Sequence, residues 1–312
     1  MAETYVVTGG AGFIGSHIAE RLLAEGHQVR VVDNFSTGKR ANLTHIRDDI
    51  QLQEVDILDR EALQPIFKGV DCVFHQAALP SVPRSVEDPL TTDLINVRGT
   101  LNVLRAARDA GVRRVVYAAS SSAYGDIDVE SKVETLAPRP LSPYGVSKLT
   151  AEYYCQAFTA CYGLETVSLR YFNVFGPRQD PLSQYAAVIP LFITAMLDGQ
   201  PPTIYGDGLQ SRDFTYIDNV VHGNLLALRA PGVGGEMLNL ATGGQITLLD
   251  LMNKLNAHLG TAFEPIHAAA RPGDVKHSRA GIEKAQRLLG YEPVVEFDAG
   301  LAQTVAWYQG IA

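Results

Sequence analysis

The sequence predicts an α/β fold, a doubly wound parallel sheet with a smaller C-terminal substrate-binding lobe. Three observations carry that expectation. Short Val- and Ile-rich runs alternate with longer helix-like stretches up to about Phe172. Several of those runs are apolar throughout, as strands are when helices cover both faces of a parallel sheet. Beyond Phe172 the pattern breaks into shorter pieces, punctuated by Gly176-Pro177, Pro181, Gly199, Pro201-Pro202 and Gly206-Asp207-Gly208.

Taken in order, Tyr5–Thr8, Val29–Asp33, Gln51–Asp56, Cys72–His75, Arg114–Ser120 and Thr166–Tyr171 read as strands. Helices are expected between them at Ile14–Glu25, Ala62–Phe67, Asn96–Ala110 and Tyr144–Tyr162. Strict alternation implies βαβ units feeding one sheet. Residues 1–172 are therefore expected to form a dinucleotide-binding domain, rejoined by about 213–242, with 173–212 and 243–312 mainly in the second lobe. No repeat or low-complexity segment interrupts this plan.

The chain has 312 residues, 46% hydrophobic and 19% charged, enough for a sizeable core. No apolar run approaches the ~18–20 residues that span a bilayer. The start, Met1-Ala2-Glu3 followed at once by strand-like Tyr5-Val6-Val7, has no leader pattern, and a cytoplasmic protein is expected. A net charge of −8 argues against nucleic acid as a partner, which needs a basic field. Cys72, Cys155 and Cys161 form no CxxC pair and are read as reduced thiols. The histidines show no metal-ligand spacing, and no metal site is expected.

The most specific local signal is Gly9-Gly10-Ala11-Gly12-Phe13-Ile14-Gly15, which follows the first strand and opens the first helix. Glycines at 9, 12 and 15 permit a tight turn, close approach of a pyrophosphate and tight helix–strand packing. The helix start adds unpaired N–H groups and partial positive charge. Asp33 ends the second strand, where a carboxylate accepts from an adenosine ribose and repels a 2′-phosphate. NAD is therefore expected over NADP, tempered by nearby Lys39 and Arg40. Asp56-Ile57 is placed to bracket the adenine, or Asp56 serves the helix starting near Asp59.

Pro143 precedes Tyr144-Gly145-Val146-Ser147-Lys148 at a helix start. Residues spaced i, i+4 share a helix face, so Tyr144 and Lys148 can meet in one cleft. An adjacent ammonium favours the phenolate and makes tyrosine a usable base. The fifth strand ends in Ser120-Ser121-Ser122-Ala123-Tyr124-Gly125, at the strand ends where such sheets bind ligands.

The glycine turn, Asp33, His75-Gln76-Ala77-Ala78, Asn96, Ser120 to Gly125, Tyr144 to Lys148 and Arg170-Tyr171-Phe172-Asn173-Val174-Phe175-Gly176 resemble, in that order, the extended short-chain dehydrogenase/reductase family, a Rossmann fold. Within it the chain is similar to the UDP-hexose 4-epimerases, nearest the UDP-N-acetylglucosamine 4-epimerase branch. The resemblance implies NAD contacts from Gly9, Gly12, Phe13, Ile14 and Gly15, and from Asp33, Asn34, Ser36, Thr37 and Gly38. It implies further contacts from Asp56, Ile57, Gln76, Ala77, Ala78 and Asn96, and from Ser120, Tyr144, Lys148, Tyr171 and Phe172. Tyr144 is implied as the base at the sugar O4, Lys148 as the residue that tunes it, and Ser120 as the catalytic hydroxyl, with Ser122 or Ser121 able to share that role. A homodimer through the helices near Asn96–Ala110 and Tyr144–Tyr162 is also implied.

Relatives that dehydrate or decarboxylate a 4-keto sugar carry an acid just after the catalytic Ser/Thr. Ser121 and Ser122 stand there, which favours epimerisation. A UDP-sugar substrate is implied to meet Ser81, Arg84, Ser121, Ser122 and Asn173, with Ala187, Val188, Thr203 and Tyr205 around the uracil. Arg212 and Arg271 are implied to hold the diphosphate, with Asp274 beside Arg271. Small Ser278 implies acceptance of UDP-GlcNAc and UDP-GalNAc alongside UDP-Glc and UDP-Gal. Arg84 leaves a UDP-uronic acid open, since it could face a carboxylate. A net dehydrogenase and a non-catalytic NAD-binding protein are the remaining rivals.

Overall fold

A computed structural model of the chain describes residues 2–181, 187–269 and 276–311. Seven parallel strands form the central sheet: β1 Thr4–Thr8, β2 Gln28–Val32, β3 Ile50–Gln53, β4 Cys72–His75, β5 Arg114–Ser120, β6 Glu165–Tyr171 and β7 Met237–Leu240. Their spatial order is β7-β6-β5-β4-β1-β2-β3, so the winding reverses between β1 and β4. The first six strands lie where the hydrophobic runs place them.

Continuous apolar runs are explained by two cores, one on each face. Tyr5, Val7, Phe74, Val116 and Ala118 face one core; Val6, Val73, Val115, Tyr117 and Ala119 face the other. Successive strand residues point to opposite faces, so a strand covered on both sides needs apolar residues at every position. All of β4 and β5 is buried accordingly.

Helix Phe13–Ala24 starts on the glycine turn and buries Ile18, Ala19 and Leu22. Helix Arg60–Ile66 is capped by the Asp59 carboxylate, which accepts from the Ala62 N–H at 3.0 Å. The single helix expected at Asn96–Ala110 is instead a π-helical turn, Leu94–Gly99, running into helix Thr100–Asp109. Gly99 explains the tight fit there, because a Cβ would lie 2.5 Å from the Ile57 side chain. Helix Pro143–Tyr162 carries the Tyr-Lys motif and ends on left-handed Gly163.

The returning segment enters through helix Ile217–Arg229, and β7 follows it to pair with Ser168–Tyr171. Thr215–Tyr216 does not join the main sheet; it pairs with Val174–Phe175. The rest of the second half forms small sheets. Thr203–Tyr205 pairs with Ile266–Ala268, and Ser211–Arg212 pairs with both Ile246–Thr247 and His277–Ser278. Asp213 ties this lobe to the end of β7. Its buried carboxylate accepts from Thr242 N and Oγ1, Gly243 N and Ala280 N at 2.7–3.2 Å. Among the described residues no helix is long and apolar enough to cross a membrane.

Candidate active site

The C-terminal ends of β1, β2, β4, β5 and β6 open on a cleft of about 860 Å³ at the point where the strand order reverses. Ligands of doubly wound sheets bind at such a point. Gly9 takes φ +67°, and a Cβ on it would lie 2.6 Å from the Ala77 backbone nitrogen. A Cβ on Gly15 would lie 2.2 Å from the Gly9 carbonyl oxygen. The turn after β1 is thus pressed against both its own helix and the chain leaving β4, which only glycine allows.

Asp33 leaves β2 with its carboxylate held from below. It accepts from Ala11 N at 2.9 Å and Phe35 N at 2.8 Å, and Gly38 passes so close that a Cβ would sit 2.8 Å from either oxygen. Burial raises its pKa, while the two backbone donors oppose that rise. Lys39 is paired with Asp180 at 2.8 Å. Arg40 is paired with Glu54 at 2.5 Å and lies 4.0 Å over the Phe35 ring. Both basic residues near Asp33 therefore already have carboxylate partners.

At the other end of the cleft, Ser142 caps the long helix by accepting from Gly145 N at 3.1 Å. The Tyr144 N–H donates to Ser85 Oγ at 3.0 Å, a second anchor for the helix start. A Cβ on Gly145 would lie 2.8 Å from the Ser122 carbonyl oxygen, so the helix rests directly on the serine turn. Ser120 accepts from Ser122 N at 3.2 Å, and its hydroxyl interacts with the Tyr144 phenol. Burial raises the Tyr144 pKa, and Ser120 works against that rise. Lys148 is 4% exposed, donates to the Ala118 carbonyl at 2.8 Å and lies 5.1 Å from the Tyr117 ring centre. Burial lowers its pKa to about 7.

Residues 5–241 match the NAD dependent epimerase/dehydratase family. The chain belongs to that family. It is 39% identical over 304 residues, 97% of each chain, to a putative UDP-glucose 4-epimerase of Methanocaldococcus jannaschii. It superposes on the UDP-glucose 4-epimerase of Thermotoga maritima, solved with UDP-glucose, at TM-score 0.94 and 39% identity, covering 99% of each chain. It also matches the UDP-N-acetylglucosamine 4-epimerase of Methanobrevibacter ruminantium M1, solved with UDP-N-acetylmuramic acid, at TM-score 0.95 and 38% identity over 100% of both chains.

NAD is the cofactor of this epimerase family, and the cleft fits it. Gly9, Gly12 and Gly15 line the cleft with bare backbone at the start of the first helix, where a pyrophosphate can approach the main chain closely. Asp33 offers acceptors where a ribose would lie, and the paired Lys39 and Arg40 offer no free cation for a 2′-phosphate. Phe13, Ile14, Asn34, Ser36, Thr37, Gly38, Asp56, Ile57, Gln76, Ala77 and Ala78 line the same cleft, as do Ser81, Arg84, Ser120, Ser121, Ser122, Tyr144, Lys148, Tyr171, Asn173 and Ala187. Asp56 lines the cleft and accepts from Leu58 N at 2.8 Å and Asn34 Nδ2 at 2.8 Å; the helix that follows is capped by Asp59, not by Asp56.

Two expected cofactor contacts lie outside the cleft wall. Asn96 is 1% exposed and braces the site from behind, bonding Leu79 N and O and donating to Ser147 Oγ at 3.0 Å. Its place in the π-helical turn points it at the loop and the catalytic helix rather than at the cleft. Phe172 is fully buried in the core. Val188, Thr203, Tyr205, Arg212 and Ser278 are not among the described residues that line the cleft. Arg212 donates to the Ser211 and Lys276 carbonyls and pairs in register with Ser278. Arg271 and Asp274 lie outside the described residues.

Sequence reading missed Arg178, Gln179 and Asp180, which line the cleft directly after the Arg170–Gly176 motif. Arg178 adopts φ +67° and bonds Glu20 and His17 on the first helix and the Asn42 carbonyl. With the Lys39–Asp180 pair, it straps residues 178–180 to the glycine-turn helix and the loop after β2. The motif's continuation into Gly-Pro-Arg-Gln-Asp was the available signal.

One pH dependence follows from Lys148. Its folded pKa, about 7, lies below the unfolded value near 10.4. The folded chain then binds fewer protons between those values, so stability at this site rises with pH from about 7 toward 10. In cofactor-free protein, Lys148→Met should raise the urea midpoint most at pH 6, with the gain shrinking by pH 9. A gain that is equal at both pH values would refute the burial argument.

Proposed function

We propose that the protein is an NAD-dependent epimerase that inverts C4 of a UDP-hexose through a transient 4-keto sugar. It would act on UDP-Glc/UDP-Gal and also on UDP-GlcNAc/UDP-GalNAc. The observation that carries this reading is the composition of the reaction end of the cleft. Tyr144, Lys148 and Ser120 converge there without a carboxylate. The only acids among the described lining residues are Asp33, Asp56 and Asp180, all at the cofactor end. Eliminating water, or assisting loss of CO₂, needs a further acid next to the sugar. Without one, a 4-keto sugar can only be reduced again.

In this reading Tyr144 takes the proton from the sugar O4 and later returns it. Ser120 holds the same hydroxyl and steers the proton. NAD, held by the glycine turn and Asp33, would supply the hydride acceptor and donor for C4, and the inversion requires the sugar to turn in the cleft between the two transfers. The buried phenol alone is a poor base, since its pKa is raised. Lys148, brought into its ammonium form beside the phenol, would lower that pKa when the cleft is filled. Ser81, Arg84, Ser121, Ser122 and Asn173 would border the sugar and diphosphate, with Arg212 and Arg271 on the diphosphate, Asp274 beside Arg271, and Ala187, Val188, Thr203 and Tyr205 around the uracil. The similarity to UDP-glucose and UDP-N-acetylglucosamine 4-epimerases supports the substrate class. Arg84, in the cleft wall, favours a UDP-uronic acid as the second reading.

Self-association fits the same reading. Val86, Leu90 and Leu94 are 64%, 81% and 48% exposed, and Val146 and Tyr153 on the catalytic helix are 49% and 52% exposed. Exposed apolar side chains here support an interface, and the homodimer would form through helix Pro143–Tyr162 and the neighbouring helix near Asn96–Ala110 with the residues leading into it.

Tyr144→Phe should lower kcat by about 10²–10⁴-fold, the range of general-base loss, with cofactor still bound. Near-parental kcat would overturn the assignment of the base. Among UDP-sugars, UDP-GalNAc should turn over in the parent, and Ser278→Tyr should cut its kcat/KM by on the order of tenfold or more while sparing UDP-Gal. No turnover of UDP-GalNAc, or indifference to Ser278→Tyr, refutes the size argument. Sedimentation velocity should give a dimer that Tyr153→Glu converts to monomer; a monomeric parent excludes the interface.

A further inference from the structure

Glu152 and Arg170 form an ion pair buried to 1% and 0% exposure. Arg170 Nε donates to Glu152 Oε2 at 2.9 Å and Nη2 to Oε1 at 2.7 Å, a two-pronged contact. Stability alone does not account for it. Taking two such ions out of water costs several kcal/mol each, and well-packed apolar side chains in their place are often neutral or better. Arg170 Nη1, moreover, is buried with no hydrogen-bond partner, a further cost. A costly group retained in a core needs a reason other than cohesion.

Its neighbours supply one. Glu152 lies on the helix of Tyr144 and Lys148, one turn beyond the lysine and on the same face. Arg170 lies on β6 opposite Ala119, the residue before Ser120. Its guanidinium stands 4.5 Å over the ring of Tyr124, which closes the serine turn. The Tyr124 hydroxyl in turn donates to Asn239 on β7 at 2.6 Å. One charge pair thus grips the catalytic helix, the serine turn and the β6–β7 edge together. An apolar pair would fill the space but would let these parts slide, because dispersion contacts have little directionality whereas a two-pronged contact fixes both distance and rotation.

We propose that Glu152 and Arg170 are positioning residues for the proton-transfer site, holding the helix of Tyr144 and Lys148 in register with the turn of Ser120. The inference rests on the proposed roles of Tyr144, Lys148 and Ser120. Neither residue lines the cleft, so both act through the residues they hold. Misplacement of about 1 Å between reacting groups costs on the order of 10²-fold in rate. Loosening also removes Ser120 from the phenol and leaves burial to dominate its titration.

The test uses the holoenzyme carrying Glu152→Met and Arg170→Met together, which removes both charges and leaves no unpaired ion. The double variant should keep a cooperative thermal transition near that of the parent. Its kcat with UDP-Gal should fall by tenfold or more at nearly unchanged KM. The tyrosinate absorbance assigned to Tyr144, by difference from the same protein with Tyr144→Phe, should titrate about one pH unit higher than in the parent. That titration needs no turnover: a parent inactive on every UDP-sugar would sink the epimerase reading alone, whereas an unmoved Tyr144 midpoint overturns the positioning role. Parental kcat in the double variant overturns it as well. Should the double variant fail to fold, Arg170→Lys, which keeps the charge but not the two-pronged contact, carries the same expectations and the same refutations.

Discussion

The site depends first on how closely two pieces of backbone approach at the reversal of the sheet. Gly9 and Ala77 leave neighbouring parallel strands, and their main chains meet with no side chain between them. Parallel strands bring all their C-terminal ends to one side, so this contact sets the floor of a cleft that every later strand extends. Gly15 then lets the first helix begin hard against the turn, and its unpaired N–H groups face the cleft. Given that floor, Asp33 from β2, Gln76 from β4 and Ser120 from β5 fall on one rim without further adjustment.

A second constraint is electrostatic. Burial opposes charge on both Tyr144 and Lys148, raising the phenol and lowering the amine. Neither group alone is poised for base chemistry. In the proposed mechanism each would become useful through the other's charge, an effect that is short-ranged and geometry-dependent. Such a site therefore needs stiff surroundings: the Ser142 cap, the Ser85 anchor, the Asn96 brace and the Glu152–Arg170 pair all bear on the same helix. His75, by contrast, lies buried between Thr8 and Thr100, with its pKa lowered to about 3, and serves as a neutral hydrogen-bonding core residue.

The features legible in the sequence were those with short-range causes. Central strands such as β1, β4 and β5 announce themselves because burial on both faces demands nearly unbroken apolar runs. The glycine turn and the Tyr-Lys pair are legible because their geometry is local. Asn96, implied as a cofactor contact by the resemblance, bonds Leu79 and Ser147 from a π-helical turn, a local geometry that leaves no compositional trace. Arg178 and Asp180 were missed because their partners, Glu20 and Lys39, lie far away in sequence. Val174–Phe175 and Thr215–Tyr216 form a side sheet too short for any period to reveal.

The reaction, finally, is set as much by what borders the sugar as by what reacts with it. Oxidation at C4 makes the neighbouring positions acidic, so the same intermediate can be epimerised, dehydrated or decarboxylated. A proton-transfer pair common to all three fates cannot choose between them; nearby acids can. Among the described residues, the carboxylates of this cleft are committed elsewhere. Asp33 is held by Ala11 and Phe35, Asp56 by Leu58 and Asn34, and Asp180 by Lys39. Serines at 121 and 122 line the same cleft; in the proposed reading they would hydrogen-bond a hydroxylated sugar but not drive out a leaving group at neutral pH, since a hydroxyl is far too weak an acid. Confining the keto sugar to re-reduction is thus achieved by side chains that decline to react.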